Sequence, residues 1–403
     1  MIQGAKVFIV TGASASAIAA FMQKHSSELN ACNYKRAKDL FEQDLYNYFA
    51  FGWERALKKR GYIVENAQYN VSVMQEKWAN ENLGYSESHS PFDILKEQIR
   101  IFKPDILWYD WVGYQELHEL RQEFPSISVF VGWAGSALSP NGQWRELDMV
   151  LSCAPESVTI LREQGIAAEH LNHAFDPYIL DVLPRELAKD DLIFIGNLIQ
   201  GSGFHNRRRA MLQKLAAKLP ILIYAPSFSV KDTVKSFVKK GLYFLSKPIL
   251  NRNTFPANKM CNRISSWKGT RIQFPESAYF GRHLRLPVFG VEMFQALKQA
   301  SVALNIHADS SPLYSSNMRL YETTGVGTCL LTEGKGNLGE LFEENREVVP
   351  YSSDEDCMEK AKWLIAHPEK CALIAKAGQA RCLRDHTYDR RVDEWEYLLG
   401  KYL

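Results

Sequence analysis

Short apolar runs alternate with stretches of helical periodicity along most of this chain. KVFIVTG (6–12) is an unbroken apolar run closed by a Gly/Ser-containing turn, the pattern of a buried strand. The spacing over 34–59 predicts an amphipathic helix, and GYIVENA (61–67) a second strand. FDILKEQIRIF (92–102) is helical by its i, i+3/i+4 apolar positions. After Lys103-Pro104, DILWYDWV (105–112) predicts a strand whose end carries Tyr109 and Asp110. ISVFVGWAG (127–135) and DMVLSC (148–153) continue the strands, and ESVTILREQG ends its helix at Gly165. The phrase AEHLNHAFDPYIL (168–180) runs out of the last of them.

The rhythm then restarts. DVLPRELAKDD (181–191) is charged, contains Pro184, and has the composition of a linker. DLIFIGN (191–197) is again a buried strand ending in glycine, followed by the helix NRRRAMLQKLAAKL and the strand PILIYAP. From Val291 the order is VEMFQALKQA helix, SVALNIH strand, NMRLYETTGVG helix, TCLLTEG strand, LGELFEE helix and EVVPY strand, with three helices behind them. Strands alternating with helices imply parallel, doubly wound sheets with ligands at the strands' carboxyl ends. Two consecutive α/β domains are the simplest reading, and no repeat with a period of 20–50 residues is visible.

Composition narrows the class. With 403 residues and 46% hydrophobic content, there is material for two or three cores. No run of 18 uncharged apolar residues predicts a membrane span, and the N-terminus lacks a signal-peptide pattern. Seven cysteines lie far apart with no CxxC, which argues against a disulfide framework or a zinc site and predicts a cytosolic protein. Net charge is only +2, so a general nucleic-acid binder is not suggested. Between Lys231 and Arg285, however, 12 Lys/Arg face two acids, Asp232 and Glu276. This segment begins as an amphipathic helix (Val230, Val234, Phe237, Val238 against Lys231, Lys235, Lys239, Lys240) and interrupts the second domain. It is either a solvated insertion or a surface for an anionic membrane or an acidic acceptor.

The richest chemistry lies in NIHADSSPLYSSNMRLYETTGVGTCLLTEGKG (305–336). A strand ends at His307, a polar loop follows, and a helix is predicted from about Asn317. Arg319 and Glu322 share one face of it, near the end where backbone N–H groups and the dipole favour phosphate. A carboxylate one turn deeper can accept two hydroxyls of a ribose or hexose; the alternative is a plain i,i+3 ion pair. Gly325 and Gly327 permit close backbone approach in the turn behind.

NMRLYETTGVGTCLLTE, the preceding SVALNIH, and the terminal HTYDRR (386–391) resemble the CgeB-like branch of the group 1 glycosyltransferases, which have the GT-B fold. FIGN (194–197) and HAFDPYIL (173–180) are similar to landmarks of that family in order. The resemblance implies two Rossmann-like domains facing across a cleft, 1–187 on the acceptor side and 188–383 for the nucleotide-sugar, the latter carrying the basic insertion 231–286. A C-terminal helix, 384–403, would pack back on the first domain. It implies that Glu322 grips the donor ribose and that Arg319 and Asn317 surround the diphosphate or sugar. Gly196 and Asn197 would approach the diphosphate, and one of Arg207, Arg208 or Arg209 would neutralise the leaving group. His307 and Gly325 border the same site. Many retaining relatives carry a Glu eight positions before the ribose-binding Glu; here that position is Tyr314, which leaves the anomeric outcome open.

Glycosyl transfer builds negative charge on the departing phosphate. The resemblance implies that Arg/Lys and helix N-termini, with no metal and no other cofactor, offset it, each such donor being worth on the order of 3–4 kcal/mol. An inverting reaction also needs a base to deprotonate the acceptor. Asp110 is the first choice, with His173 and Asp176 behind it, and the acceptor would meet loops near Ala13, Asp110 and Trp133. The alternative for Asp110 is a capping or loop carboxylate.

Other motifs are set aside. TGASASA (11–17) resembles the opening of a short-chain dehydrogenase but lacks GxGxxG spacing. Asp354-Glu355-Asp356 matches a metal-binding DxD, yet it opens a helix, where acids favour the dipole. GKGNLG (334–339) lacks the Lys-Ser/Thr of a P-loop, and no HxxxH pair suggests zinc. His386 reads as a cap of the helix before it.

The expected activity is transfer of a glycosyl group from a nucleotide-diphosphate sugar to a glycan or lipid-linked acceptor in cell-surface polysaccharide synthesis. The protein would be cytoplasmic or peripheral at the inner membrane face, with no nucleic-acid partner. The rivals are a non-catalytic nucleotide-sugar-binding subunit and a sugar-nucleotide epimerase or phosphorylase.

Overall fold

The computed structural model describes residues 4–45, 48–84, 90–110, 116–135, 138, 143–184, 190–198, 206–227, 230–250, 263–264, 266–269 and 274–402. Two six-stranded sheets organise it. The first contains β1 (Lys6–Thr11), β2 (Ile63–Gln68), β3 (Ile106–Tyr109), β4 (Val129–Trp133), β5 (Met149–Ser152) and β6 (Ala168–His170). Their order is β2-β1-β3-β4-β5-β6, every neighbouring pair parallel. The second contains β7 (Asp190–Ile195), β8 (Ile221–Tyr224), β9 (Leu284–Arg285), β10 (Ala300–Asn305), β11 (Cys329–Glu333) and β12 (Val349–Tyr351), in the order β12-β11-β10-β7-β8-β9. Both are α/β sheets of the doubly wound kind that the alternating pattern predicts.

Alternation within each strand sorts the first sheet's side chains onto two cores. Val7, Ile9, Val64, Trp108 and Val131 face one; Phe8, Val10, Ala67, Leu107 and Phe130 face the other. The first core is completed by the C-terminal helix Tyr388–Leu399, whose Tyr388, Val392, Trp395 and Leu399 join it. Trp395 stacks on Trp108 with ring centroids 5.8 Å apart, and Tyr388 meets Trp53 edge-on at 5.3 Å. At the rim of this contact, Arg60 and the Tyr62 hydroxyl both hold Glu396 at 3.0 Å.

Local details depart from the sequence pattern. The helix expected over 34–59 is two, Tyr34–Asp44 and Tyr48–Arg60. TGASASA is only in part a turn: Ser14 caps a helix over Ala15–Ala31, accepting from the Ala17 N–H at 3.3 Å. That helix is short of strongly periodic apolar positions, which is why the pattern hid it. The linker residues 185–189 lie outside the described residues.

The chain divides into two compact units. One comprises 1–193, 199–206 and 288–403; the other comprises 194–198 and 207–287.

Candidate functional site

In the larger unit, β10 ends at Asn305 and delivers a buried polar cluster. The amides of Asn305 and Asn317 clasp each other, Asn317 Nδ2 donating at 2.6 Å and Asn305 Nδ2 returning at 3.2 Å. Asn305 Nδ2 also reaches Thr332 Oγ1 at 2.9 Å, and His307 Nε2 lies 3.4 Å from that hydroxyl. His307 and Asn317 are therefore brought together, through Asn305 and Thr332. Neither partner stood out in sequence, because a lone Asn and Thr in apolar strands carry no spacing signal.

The helix that follows is short, Arg319–Gly325, and almost wholly buried. Glu322 is 3% exposed and its Oε2 lies 2.8 Å from Arg319 Nη1. Arg319 Nη1 also contacts the Met293 sulfur at 3.4 Å. Gly325 serves packing: a Cβ there would lie 2.3 Å from the Phe175 ring. Gly327 takes φ +79°, a conformation that favours glycine. Before the helix, the backbone N–H groups of Leu313 and Tyr314 donate to Glu156 at 2.9 and 3.2 Å, joined by Ser311 Oγ. A carboxylate thus meets the backbone at Tyr314, supplied by a helix start 158 residues earlier in sequence.

The two other flagged segments, HAFDP and HTYDRR, form one structure. Phe175 N–H donates to the His386 carbonyl at 2.8 Å, and Tyr388 N–H returns to Phe175 O at 3.3 Å. Arg391 donates to His173 O at 3.2 Å and to His386 Nδ1 at 2.9 Å. His386 Nε2 is 2.8 Å from Leu341 O, so the ring is tied at both nitrogens. Burial, reinforced for His173 by the nearby Arg391 charge, lowers His173 to about 3. Burial also takes His386 down to about 4. His386 does stand at the helix end, its N–H closing on Cys382 O. Asp176 accepts from Arg55 Nη2 at 3.0 Å and from the Tyr178 N–H.

Asp110 follows β3 and is half-buried; Thr11 Oγ1 donates to it at 3.4 Å. Burial pushes its carboxyl well above the usual carboxylate range, with the Thr11 bond opposing. Residues 111–115 beside it lie outside the described ones. Ala13 donates its N–H to Asn70, and Trp133 packs on the His173 ring with centroids 5.1 Å apart.

In the smaller unit, Gly196 N–H donates to Tyr224 O at 3.1 Å. The three arginines of the helix Asn206–Ala216 separate by role. Arg207 is exposed. Arg208 is buried, donates to the Asn197 carbonyl at 3.2 Å and lies 5.9 Å over the Phe194 ring. Arg209 pairs with Glu276, which is 1% exposed. Burial raises the Glu276 carboxyl, against the Arg209 charge. In sequence Glu276 is only one of two acids in the basic segment; its pairing with Arg209 carries no local signal, because the two lie 67 residues apart.

Residues 207–397 match the family model described as glycosyl transferase-like. The chain carries a glycosyltransferase-like domain. Its fold is GT-B, with solved glycosyltransferase structures similar over nearly all of their length. Sucrose-phosphate synthase from Thermosynechococcus elongatus matches with TM-score 0.53 and 11% identity, covering 98% of both chains. HepE from Anabaena, in complex with UDP-glucose, matches with TM-score 0.55 and 10% identity, over 98% of this chain and 99% of that one. An alpha-glucosyltransferase in complex with UDP-glucose and abasic-site DNA matches with TM-score 0.57 and 11% identity, over 98% and 99%. No curated protein matches this sequence. The glycosyltransferase-like domain contains Arg208, Asn317, Arg319 and Glu322, and Asp110 lies outside it.

Proposed function

We propose that the protein transfers a glycosyl group from a nucleotide-diphosphate sugar to a glycan or lipid-linked acceptor. The reading rests on one observation above the others: within the matched region, a buried carboxylate and a guanidinium, Glu322 and Arg319, face each other beside a polar strand end. Glu322 would take the donor's ribose hydroxyls. Arg319 and Arg208 would offset charge on the diphosphate, with Gly196, Asn197, Asn317, His307 and Gly325 around it and Arg207 at the surface. No metal or other cofactor would be needed if these cations stabilise the leaving group. Asp110 would deprotonate the acceptor, as a carboxyl at a strand end whose titration burial shifts upward.

The finer assignment is a CgeB-like enzyme of cell-surface polysaccharide synthesis, with the acceptor-side domain at 1–187, the donor domain at 188–383 and the terminal helix at 384–403. Location at the cytoplasmic membrane face is supported by the helix Val230–Leu250. Val234, Val238, Leu242 and Leu245 recur at helical spacing and are all exposed. Exposed Lys231 and Lys235 flank that stripe, the chemistry of an anionic lipid surface. No helix among the described residues is long and apolar enough to cross a membrane.

Thermal shift with nucleoside diphosphates and their sugars tests the donor site. UDP-glucose is the first to try, because two solved structures of this fold hold it. A ligand at 100 times its Kd should add about 2.7 kcal/mol. Stabilisation by one nucleotide in the wild type, absent from Glu322→Ala, is the expected result. No stabilisation by any nucleotide overturns the reading.

A further inference from the structure

Glu156 carries a charge from the first sheet's half of the chain onto the second's. It stands in the first turn of the helix Pro155–Glu163, just past the carboxyl end of β5. Its Oε1 accepts from the Leu313 and Tyr314 N–H groups at 2.9 and 3.2 Å, and its Oε2 from Ser311 Oγ at 3.1 Å. All of these residues lie within the larger compact unit.

The grip is mounted on fixed points. Ser152, the last residue of β5, is buried; its Oγ donates to Ala134 O at 2.7 Å and accepts the Ala154 N–H at 3.1 Å. Pro155 then opens the helix with a locked φ. Residues that follow β11 hold the loop from its other side. Lys335 Nζ donates to Pro312 O at 2.7 Å and Gly336 N–H to Leu313 O at 2.9 Å. Asn337 exchanges two bonds with the Ser315 backbone, at 2.6 and 3.1 Å. Asn317 and Arg319 come directly after this twice-held loop.

An acid in a helix's first turn is favoured by the dipole alone, so the partners of Glu156 decide its role. Leu313 is exposed, and water would satisfy its N–H if the carboxylate were absent. Water cannot keep the loop in one place, however, and misplacing groups that meet a ligand is costly. Both carboxylate oxygens are engaged by the loop, so Glu156 acts through the backbone.

We propose that Glu156 is a positioning residue for the donor. By clasping the Ser311–Tyr314 loop, it sets Asn317 and Arg319 where they meet the diphosphate or sugar. The proposal rests on the donor reading of Glu322 and Arg319.

Calorimetry on the full chain tests it, with UDP-glucose, UDP-N-acetylglucosamine and GDP-mannose as probes and amide hydrogen exchange over 311–322 beside it. Glu156→Ala should weaken binding roughly tenfold, the loss of a charge-assisted clasp, and speed exchange at the loop and the start of the helix. In Glu156→Gln the carbonyl oxygen can keep the two N–H groups, while the amide donates to Ser311 Oγ and that hydroxyl serves Tyr314 O, now 3.0 Å away. Its affinity should stay within about threefold of wild type. Ser311→Ala should lose about threefold, and it reports even where Glu156→Ala fails to fold. Binding of a probe to the wild type that neither Glu156→Ala nor Ser311→Ala weakens overturns the proposal alone. Glu156→Gln as impaired as Glu156→Ala also overturns it, because the charge itself would then act on the donor. No binding of any probe to the wild type fails the donor reading and takes the proposal with it.

Discussion

Glu322 holds Arg319 at 2.8 Å within a buried helix, so the two groups proposed to grip the donor already satisfy each other in the free protein. Donor binding must exchange part of this pair for ribose hydroxyls and phosphate oxygens. Glu322→Ala is expected to leave a largely buried guanidinium without that partner and to lower stability by roughly 1–3 kcal/mol. Adding Arg319→Met should recover stability and leave nucleotide binding abolished. Urea unfolding, run beside nucleotide thermal shift, measures both; recovery of nucleotide binding in the double variant would contradict the assigned roles.

Asp110 offers a pH signature. Its folded carboxyl is raised, so the protonated form is favoured; that contribution is complete below about pH 3.9 and fades as pH rises through the raised value. Asp110→Asn should therefore be at least as stable as wild type at neutral pH. Transfer activity, using Asp110 as base, should climb with pH through a midpoint above the ordinary carboxylate range. It should drop about 10²–10⁴-fold in Asp110→Asn while nucleotide binding persists. Full turnover by the variant would return Asp110 to a structural role and favour a base elsewhere, and loss of nucleotide binding would contradict its acceptor-side assignment.

His173 and His386 make the opposite prediction. Both are depressed, to about 3 and about 4, so the neutral rings stabilise the fold above about pH 6.5, and this is lost as pH falls through those values. Urea midpoints should decline between pH 6.5 and 4. His386→Gln, which cannot take up the proton, should flatten part of that decline. An unchanged slope would show that other groups drive acid unfolding.

Gly325 and Phe175 are 150 residues apart in sequence and in van der Waals contact in space. Gly325→Ala would press a methyl group into the ring, at a cost of roughly 1–3 kcal/mol. Phe175→Leu introduced with it should cost less than the sum of the single changes, because the smaller side chain yields. Additivity in a double-mutant cycle would mean that the contact is not the source.

The apolar stripe on Val230–Leu250 should show itself by sedimentation with vesicles. Binding to phosphatidylserine-containing vesicles, weak on neutral ones and lost in a Val238→Asp/Leu245→Asp variant, is expected. Equal binding of the variant would remove this helix from the membrane reading.

Local pattern determined the alternation of strands and helices, hence the parallel sheets, and singled out the 305–336 stretch; the family resemblance added HAFDP and HTYDRR. That information is local because apolar runs and helical spacing report what one element buries. Only the tertiary structure decided what those segments do to each other. Arg391 joining His173 to His386, Glu156 meeting the Tyr314 backbone, and Glu276 pairing with Arg209 all bring together residues far apart in sequence. Arg207, Arg208 and Arg209 look alike in sequence; because each successive residue turns about 100° around the helix, they differ in space, and Arg208 is the one found against Phe194 and Asn197.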